Sequence, residues 1–101
     1  MNIRILGSPE VIAVFALGGV EGRAVATRQE LHAGLDEAMA DADLRVLVVE
    51  EGCAELAREE IDQLKLTPHG PVVVEIAGIE GPLSGRSTPL DLVRRALGIS
   101  L

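Results

Sequence analysis

The sequence predicts an α/β domain built around a parallel sheet, and three observations lead to this fold class. Four short aliphatic segments typical of buried strands alternate with segments of helical periodicity along the 101 residues. Apolar residues make up 48% of the chain and charged residues 25%, an ordinary balance for one globular domain. Phe15 is the only aromatic residue, so the core has to be built from Leu, Val, Ile and Ala. Strands that alternate with helices in this way favour parallel pairing through right-handed crossovers.

The first half of the chain predicts two strands and two helices. Residues 2–6 form a short buried strand, after which Ser8 caps a helix that ends at Gly18. A weaker pattern predicts a second strand over residues 23–26. Thr27 opens the second helix in a capping box with Glu30 three residues later. An apolar stripe follows at helical spacing, formed by Leu31, Leu35, Ala38 and Ala42.

The second half predicts two more strands and two more helices. Residues 44–49 are apolar on both faces and form a central strand, and residues 72–76 form the fourth strand. Between them a third helix runs over residues 53–64 and directs Ala57, Ile61 and Leu64 to the core. We expect the valines at the sheet centre to be almost fully buried: Val48, Val49, Val73 and Val74.

These elements define the expected architecture. A four-stranded parallel sheet with order 2-1-3-4 and helices on both faces makes a small flavodoxin-like half-Rossmann sandwich. We assign residues 1–78 to this domain and residues 79–88, which are rich in Gly, Pro and Ser, to a linker. Residues 89–101 form a tethered C-terminal helix that begins with a proline.

Charge and cysteine usage exclude several classes of protein. The net charge of −7 disfavours nucleic-acid backbones and anionic membrane surfaces, which both select cationic proteins. A single cysteine, Cys53, excludes a disulfide framework and a cysteine-rich metal site. The longest purely apolar stretches are only a few residues, and the N-terminus lacks the pattern of a signal peptide. We therefore expect a cytoplasmic protein without direct membrane insertion.

The ends of the predicted strands carry no catalytic motif. A dinucleotide site needs a G-x-G-x-x-G turn, but only Gly7 follows the first strand. A P-loop needs a Gly-Lys-Ser/Thr ending, and the only lysine is Lys65. Glu50 and Glu51 follow the third strand, where a phosphoacceptor would be an Asp supported by further acids, so we expect a solvated acidic strand end.

Four other titratable residues are candidates for chemistry. Cys53 follows a glycine at a predicted helix start, but we expect a small packed residue because no partner histidine lies near it in sequence. His32 and His69 lack metal-binding spacing, so no metal site is expected. Glu75 lies within a buried strand. It either reaches solvent or pairs with an arginine of the C-terminal segment, or else it is a buried, proton-carrying acid.

Five segments spread over essentially the whole chain carry a resemblance to one family. They are residues 3–10 (IRILGSPE), 15–22 (FALGGVEG), 46–54 (VLVVEEGCA), 71–76 (PVVVEI) and 93–99 (VRRALGI). In order and position they resemble the F subunit of the V/A-type rotary ATPases. Their combination is more specific than any one of them.

The resemblance implies a non-catalytic central-stalk component of a rotary ATPase or ATP synthase that couples ATP hydrolysis or synthesis to proton or sodium transport. Such a protein would bind the coiled-coil D subunit and contact the catalytic A/B ring through its C-terminal helix. It would have no cofactor and would be peripheral to the membrane through the complex. The partner-binding residues expected on the helix are Leu90, Leu92, Val93, Arg94, Arg95 and Leu97.

Two alternatives remain open from the residues themselves. One is a degenerate receiver or phosphocarrier domain that uses Glu50, Glu51 or Cys53. The other is a free-standing α/β module that binds a ligand without a protein partner.

Overall fold

The computed structural model describes residues 2–78, which contain a four-stranded sheet. The linker expected over residues 79–88 and the helix expected over residues 89–101 lie outside these residues. The elements in chain order are β1 (Ile3–Gly7), α1 (Pro9–Leu17), β2 (Glu21–Ala24), α2 (Arg28–Ala40), β3 (Val46–Glu50), α3 (Glu51–Ala54), α4 (Arg58–Leu66) and β4 (Val72–Ile76).

The sheet has the order β2-β1-β3-β4 and all three strand pairs are parallel, which confirms the predicted topology. Ile5 on β1 lies opposite Gly22 on β2 and opposite Val48 on β3. The chain moves outward from β1 to β2 and then crosses back over β1 to β3. Right-handed crossovers in opposite directions place α1 on one face of the sheet and α2 on the other.

Two separate clusters of apolar residues hold the helices to the sheet. The larger cluster lies under α2, α3 and α4 and includes Leu47 and Val49, whose side chains are fully buried. The smaller cluster lies under α1 and is centred on Ile5, Val11 and Val48. Their separation follows from the alternation of side chains along each strand.

Three of the four valines expected at the sheet centre are buried, but the expectation for Val74 was wrong. Val48, Val49 and Val73 are at most 9% exposed, whereas Val74 is 41% exposed. Val74 lies opposite Val48, so it points to the α1 side of β4. Helix α1 packs over β1 and β2, so within residues 2–78 no helix covers this side of the edge strand.

Helix starts follow the predicted caps closely. The Thr27 hydroxyl accepts the backbone N–H of Glu30 at 3.1 Å, and the Glu30 carboxylate accepts that of Thr27 at 3.1 Å, which confirms the capping box. Ser8 caps α1 more loosely, with 3.5 Å between its hydroxyl oxygen and the Val11 nitrogen. Ala42 does not join the buried stripe, because α2 ends at Ala40 and Asp41 is extended.

The third helix is not continuous, and this corrects the sequence expectation. Helix α3 passes into a 3₁₀ turn (Glu55–Ala57), and Ala57 has φ −149° and ψ 58°, a non-helical conformation that separates α3 from α4. Ala57 and Ile61 are nevertheless buried as predicted, and Leu64 packs against the same cluster. The break places Arg58 opposite Glu75 on β4. The second strand also begins earlier than predicted, at Glu21.

Candidate functional site

The carboxyl ends of β1 and β3 form the crevice where sheets of this topology bind ligands, because the strand order reverses between them. Gly7 ends β1, Glu50 ends β3, and Gly78 follows β4 by two residues. The three positions meet in space. Glu50 is only 9% exposed and is the one buried charged residue among residues 2–78.

The Glu50 side chain fills this crevice. Its Oε1 accepts the backbone N–H of Ser8 at 2.6 Å, which ties the end of β3 to the start of α1. A Cβ atom added at Gly7 would lie 3.0 Å from Oε1, and one added at Gly78 would lie 2.2 Å from Oε2. The carboxylate therefore occupies the place beside the α1 N-terminus where an anionic ligand would otherwise bind.

The position of Glu50 corrects the expectation of a solvated acidic strand end. Only Glu51, the first residue of α3, is exposed as expected. The sequence contains one signal for this arrangement, because a glycine follows or ends each strand that adjoins β3. Glycines at both flanking strand ends leave room for one longer side chain between them.

Cys53 has the properties of a packed residue rather than a nucleophile. Its thiol is buried and donates a hydrogen bond to the backbone oxygen of Val25 at 3.4 Å. Burial, and then the negative charge of Glu50, raise the pKa of Cys53 to about 11. The thiolate, which is the reactive form, is therefore scarce at neutral pH. Neither Glu50 nor Cys53 supports the alternative of a phosphocarrier domain.

Glu75 is an ionised member of a charge cluster between β4 and α4. Arg58 donates to both of its carboxylate oxygens, at 2.5 and 2.8 Å, and Lys65 also binds it. Hydrogen bonding from Arg58 is the main reason why the pKa of Glu75 falls to about 2. The hypothesis of a proton-carrying acid was therefore wrong. Among residues 2–78 its partners are Arg58 and Lys65 of α4, and the arginines of the C-terminal segment lie outside the described residues.

The two histidines lie apart and serve different local structures. The His32 Nε2 atom lies 3.5 Å from a carboxylate oxygen of Glu60 on α4, and His69 adopts φ 67° in the turn before β4. In the stretch from residue 2 to residue 78, no group of three or more His, Cys, Asp or Glu side chains could hold a metal ion. No helix in the same stretch combines the length and apolar character needed to cross a bilayer.

One exposed surface was missed by the sequence interpretation. Helix α1 and the turn after it, from Val11 to Val20, contain no charged or hydrogen-bonding side chain. Leu17 at the end of α1 is 86% exposed. A shallow groove beside it is lined by Ile12, Ala16, Gly19, Val20, Glu21 and Gly22. The absence of charged residues from Val11 to Val20 was the sequence signal that could have indicated this exposed surface. The residues expected to bind a partner, 90–97, lie outside the described residues.

Comparison with known proteins gives one consistent family. Residues 3–92 match the family described as ATP synthase (F/14-kDa) subunit. The F subunit of the A-type ATP synthase of Methanothermobacter thermautotrophicus is 29% identical over 102 aligned positions, covering 99% of this chain and 95% of the relative. The corresponding F subunit of Methanococcus maripaludis strain S2 is 27% identical, covering 100% of this chain and 99% of the relative. With nearly its whole length matched, the chain belongs to the ATP synthase F-subunit family, as the resemblance to the F subunit of the V/A-type ATPases implied.

Proposed function

We propose that this chain is a non-catalytic central-stalk component of a V/A-type rotary ATPase or ATP synthase. The observation that carries the proposal is the family match over residues 3–92, together with relatives of the same length named as F subunits of A-type ATP synthases. In this role residues 1–78 form the body that binds the coiled-coil D subunit. The chain is cytoplasmic and associates with the membrane only through the complex.

The geometry at the carboxyl edge of the sheet supports a non-catalytic role. An α/β enzyme of this topology needs an open crevice between β1 and β3. Here the Glu50 carboxylate lies in that crevice and accepts the Ser8 N–H at 2.6 Å. The neighbouring Cys53 thiol is held in its protonated form. A phosphate group would have to displace a bound carboxylate of the same charge sign, so we expect no binding of Mg-ATP to the isolated chain.

The C-terminal segment is the proposed contact with the catalytic A/B ring. Residues 89–101 combine leucines and a valine at helical spacing with two arginines near their middle. Arginines near the C-terminus of a helix complement its dipole and attract carboxylates of a partner. The residues proposed for this contact are Leu90, Leu92, Val93, Arg94, Arg95 and Leu97.

The test is reconstitution with the other components of the complex. The full chain is mixed with the coiled-coil partner, and complex formation is measured by size-exclusion chromatography with light scattering. We expect a stable complex, and we expect it to persist when residues 89–101 are deleted. The same deletion should change the ATPase rate of the reconstituted enzyme. A full chain that does not bind the coiled-coil partner, or that binds Mg-ATP tightly in calorimetry, would contradict the proposal.

A further inference from the structure

From Val11 onward helix α1 is apolar on every side, although it lies on the surface of the domain. Val11 is fully buried against the sheet, while Ile12, Val14 and Phe15 are partly buried. The outward side carries Ala13, Ala16 and Leu17, which are all exposed. A helix that is apolar all round is normally covered on all sides. One side of α1 has no cover among residues 2–78.

This segment differs from the rest of the exterior in charge as well. The chain has a net charge of −7, yet residues 11–20 contain no charged side chain. Within the described part of the chain, every ion pair involves α2, its terminal residue Asp41, or α4. A partner that covers residues 11–20 therefore removes apolar surface from water and desolvates no charged side chain of that segment.

We propose that the α1 surface, defined as Ile12, Ala13, Ala16, Leu17 and Val20, is the docking surface for an α-helix of the coiled-coil partner. The inference rests on the proposed function and names the part of the body that makes the contact. Alanines on the outward side let another helix approach closely, and the exposed Leu17 supplies the large apolar side chain that anchors such contacts.

The charge at the start of this surface specifies the partner further. Glu10 precedes the apolar segment and is exposed without an ion pair among residues 2–78, whereas Glu21 lies opposite Arg4 of β1 and therefore points to the α2 side of the sheet. Helix α1 has nine residues, which corresponds to a length of about 13 Å. A complementary helix carries an apolar stripe about two to three turns long with Lys or Arg near the end that meets Glu10.

The surface lies away from the point at which the chain leaves the described residues. Helix α1 packs over β1 and β2, while the chain leaves the described region after β4, at the opposite edge. Three strand spacings, or about 14 Å, separate β2 from β4. A coiled coil bound at α1 therefore leaves the β4 edge uncovered.

A matched pair of leucines tests the proposal. Leu17 and Leu66 are each the last residue of a nine-residue helix and are 86% and 83% exposed, but they lie in opposite layers. An aspartate at either position costs similar helix stability, and thermal unfolding checks this directly. For the full chain with the coiled-coil partner, we expect Leu17→Asp to weaken binding about 30-fold or more. Leu66→Asp should change it less than about 3-fold.

The outcomes distinguish a failure of the proposed function from a failure of the proposed α1 docking surface. If the unmodified chain does not bind the coiled-coil partner at all, the proposed function fails. If it binds and both variants bind as well as it does, the function stands and the α1 surface is wrong. Equal loss of binding in both variants also overturns the proposal, because the contact would then not be specific to α1.

Thiol accessibility identifies what covers the surface. The variants Leu17→Cys and Leu66→Cys carry exposed thiols, while the native Cys53 stays buried with a raised pKa and reacts slowly. Addition of the coiled-coil partner should slow alkylation of the Leu17→Cys variant about 10-fold or more and leave Leu66→Cys nearly unchanged. Protection in the isolated chain that rises with its concentration would assign the surface to a second copy. Protection that is lost on deletion of residues 89–101 would assign it to the chain's own terminus, and either result overturns the proposal.

Discussion

On one face of the sheet, α2, α3 and α4 cover the larger cluster of buried residues, and arginines tie the helices to the strands. On the other face, α1 alone covers β1 and β2. Leu17, Val72 and Val74 on that side are 86%, 62% and 41% exposed. The outer surface of the first layer is acidic and ion-paired, whereas that of the second is apolar and uncharged from Val11 to Val20.

The difference indicates a division of labour between stability and binding. The 77 described residues bury a modest core, so one well-covered face has to supply most of their stability. The other face then keeps apolar surface available for partners, which is a liability in a free protein and an advantage in a member of a complex. Because the same sheet carries both layers, substitutions of one residue type on its two sides measure the contrast directly.

The largest expected contrast is between two valines on opposite sides of the sheet. Val49 is fully buried in the larger cluster, and Val74 is 41% exposed on the α1 side. Val49→Ala should lower the free energy of unfolding by about 2–3 kcal/mol, and Val74→Ala by less than about 1 kcal/mol. Urea unfolding of the full chain measures both. Equal losses would mean that the two faces are equally well packed.

The next effect concerns the Glu50 carboxylate between the strand ends. A methyl group at Gly78 would meet Oε2 at 2.2 Å, so Gly78→Ala forces Glu50 to move and should cost about 1–3 kcal/mol. Gly52 lies in α3 with open space around its Cβ position, so Gly52→Ala should leave stability unchanged or raise it by up to about 1 kcal/mol. Urea unfolding of the two glycine variants measures the difference.

A double-mutant cycle with Glu50→Ala shows whether the cost of Gly78→Ala comes from a clash with the Glu50 carboxylate or from another cause. Once the carboxylate is absent, Gly78→Ala should cost far less, so the two changes should be strongly non-additive. Additive effects would show that Gly78 is required for another reason.

The topology could be predicted from the sequence because strong local signals specify it. The aliphatic runs before Glu50 and after Pro71 and the capping box at Thr27 each have one simple interpretation, and crossover handedness limits the strand orders. The break at Ala57 carries no Gly or Pro and depends on how α4 meets β4, so periodicity alone could not find it.

The candidate site was harder to predict than the fold. The burial of Glu50 depends on two glycines that are far apart in sequence, at positions 7 and 78. The exposure of Val74 depends on which strands α1 covers. The alternation of residues along a strand does not predict this. The uncharged segment from Val11 to Val20 was visible in the sequence, but a buried helix has the same composition.

A smaller effect is expected from the ion pairs of the acidic layer. The pKa of Glu75 is lowered from 4.5 to about 2, chiefly by hydrogen bonds from Arg58. Its contribution to stability is therefore complete above pH 4.5 and is lost as the pH falls from about 4.5 to about 2. Glu75→Gln should cost about 1 kcal/mol at neutral pH, and its deficit relative to the unmodified chain should shrink over that interval. Urea unfolding across this pH range measures the deficit.

The control for this pH dependence lies on α4 itself. Glu59 is exposed and makes no ion pair within the described part of the chain. Glu59→Gln should therefore follow the unmodified chain at every pH to within about 0.5 kcal/mol. A Glu75→Gln deficit that stays constant down to pH 2 would mean that packing, rather than charge, explains the loss.

The smallest expected difference is between the caps that begin α1 and α2, and it tests whether the two layers also differ in local order. Thr27 completes a reciprocal capping box with 3.1 Å contacts, whereas the Ser8 hydroxyl lies 3.5 Å from the nitrogen it caps. Thr27→Ala should cost about 1 kcal/mol and Ser8→Ala about 0.5 kcal/mol or less, because the longer hydrogen bond is weaker. The backbone hydrogen bond from Ser8 to Glu50 is unaffected by its side chain, so Ser8→Ala isolates the cap. Thermal unfolding of both variants, with Thr27→Ser as the conservative control, measures the difference. A larger loss for Ser8→Ala would show that the start of α1 is held as tightly as the start of α2. The two layers would then differ in the residues that they expose, and not in how firmly their helices are fixed.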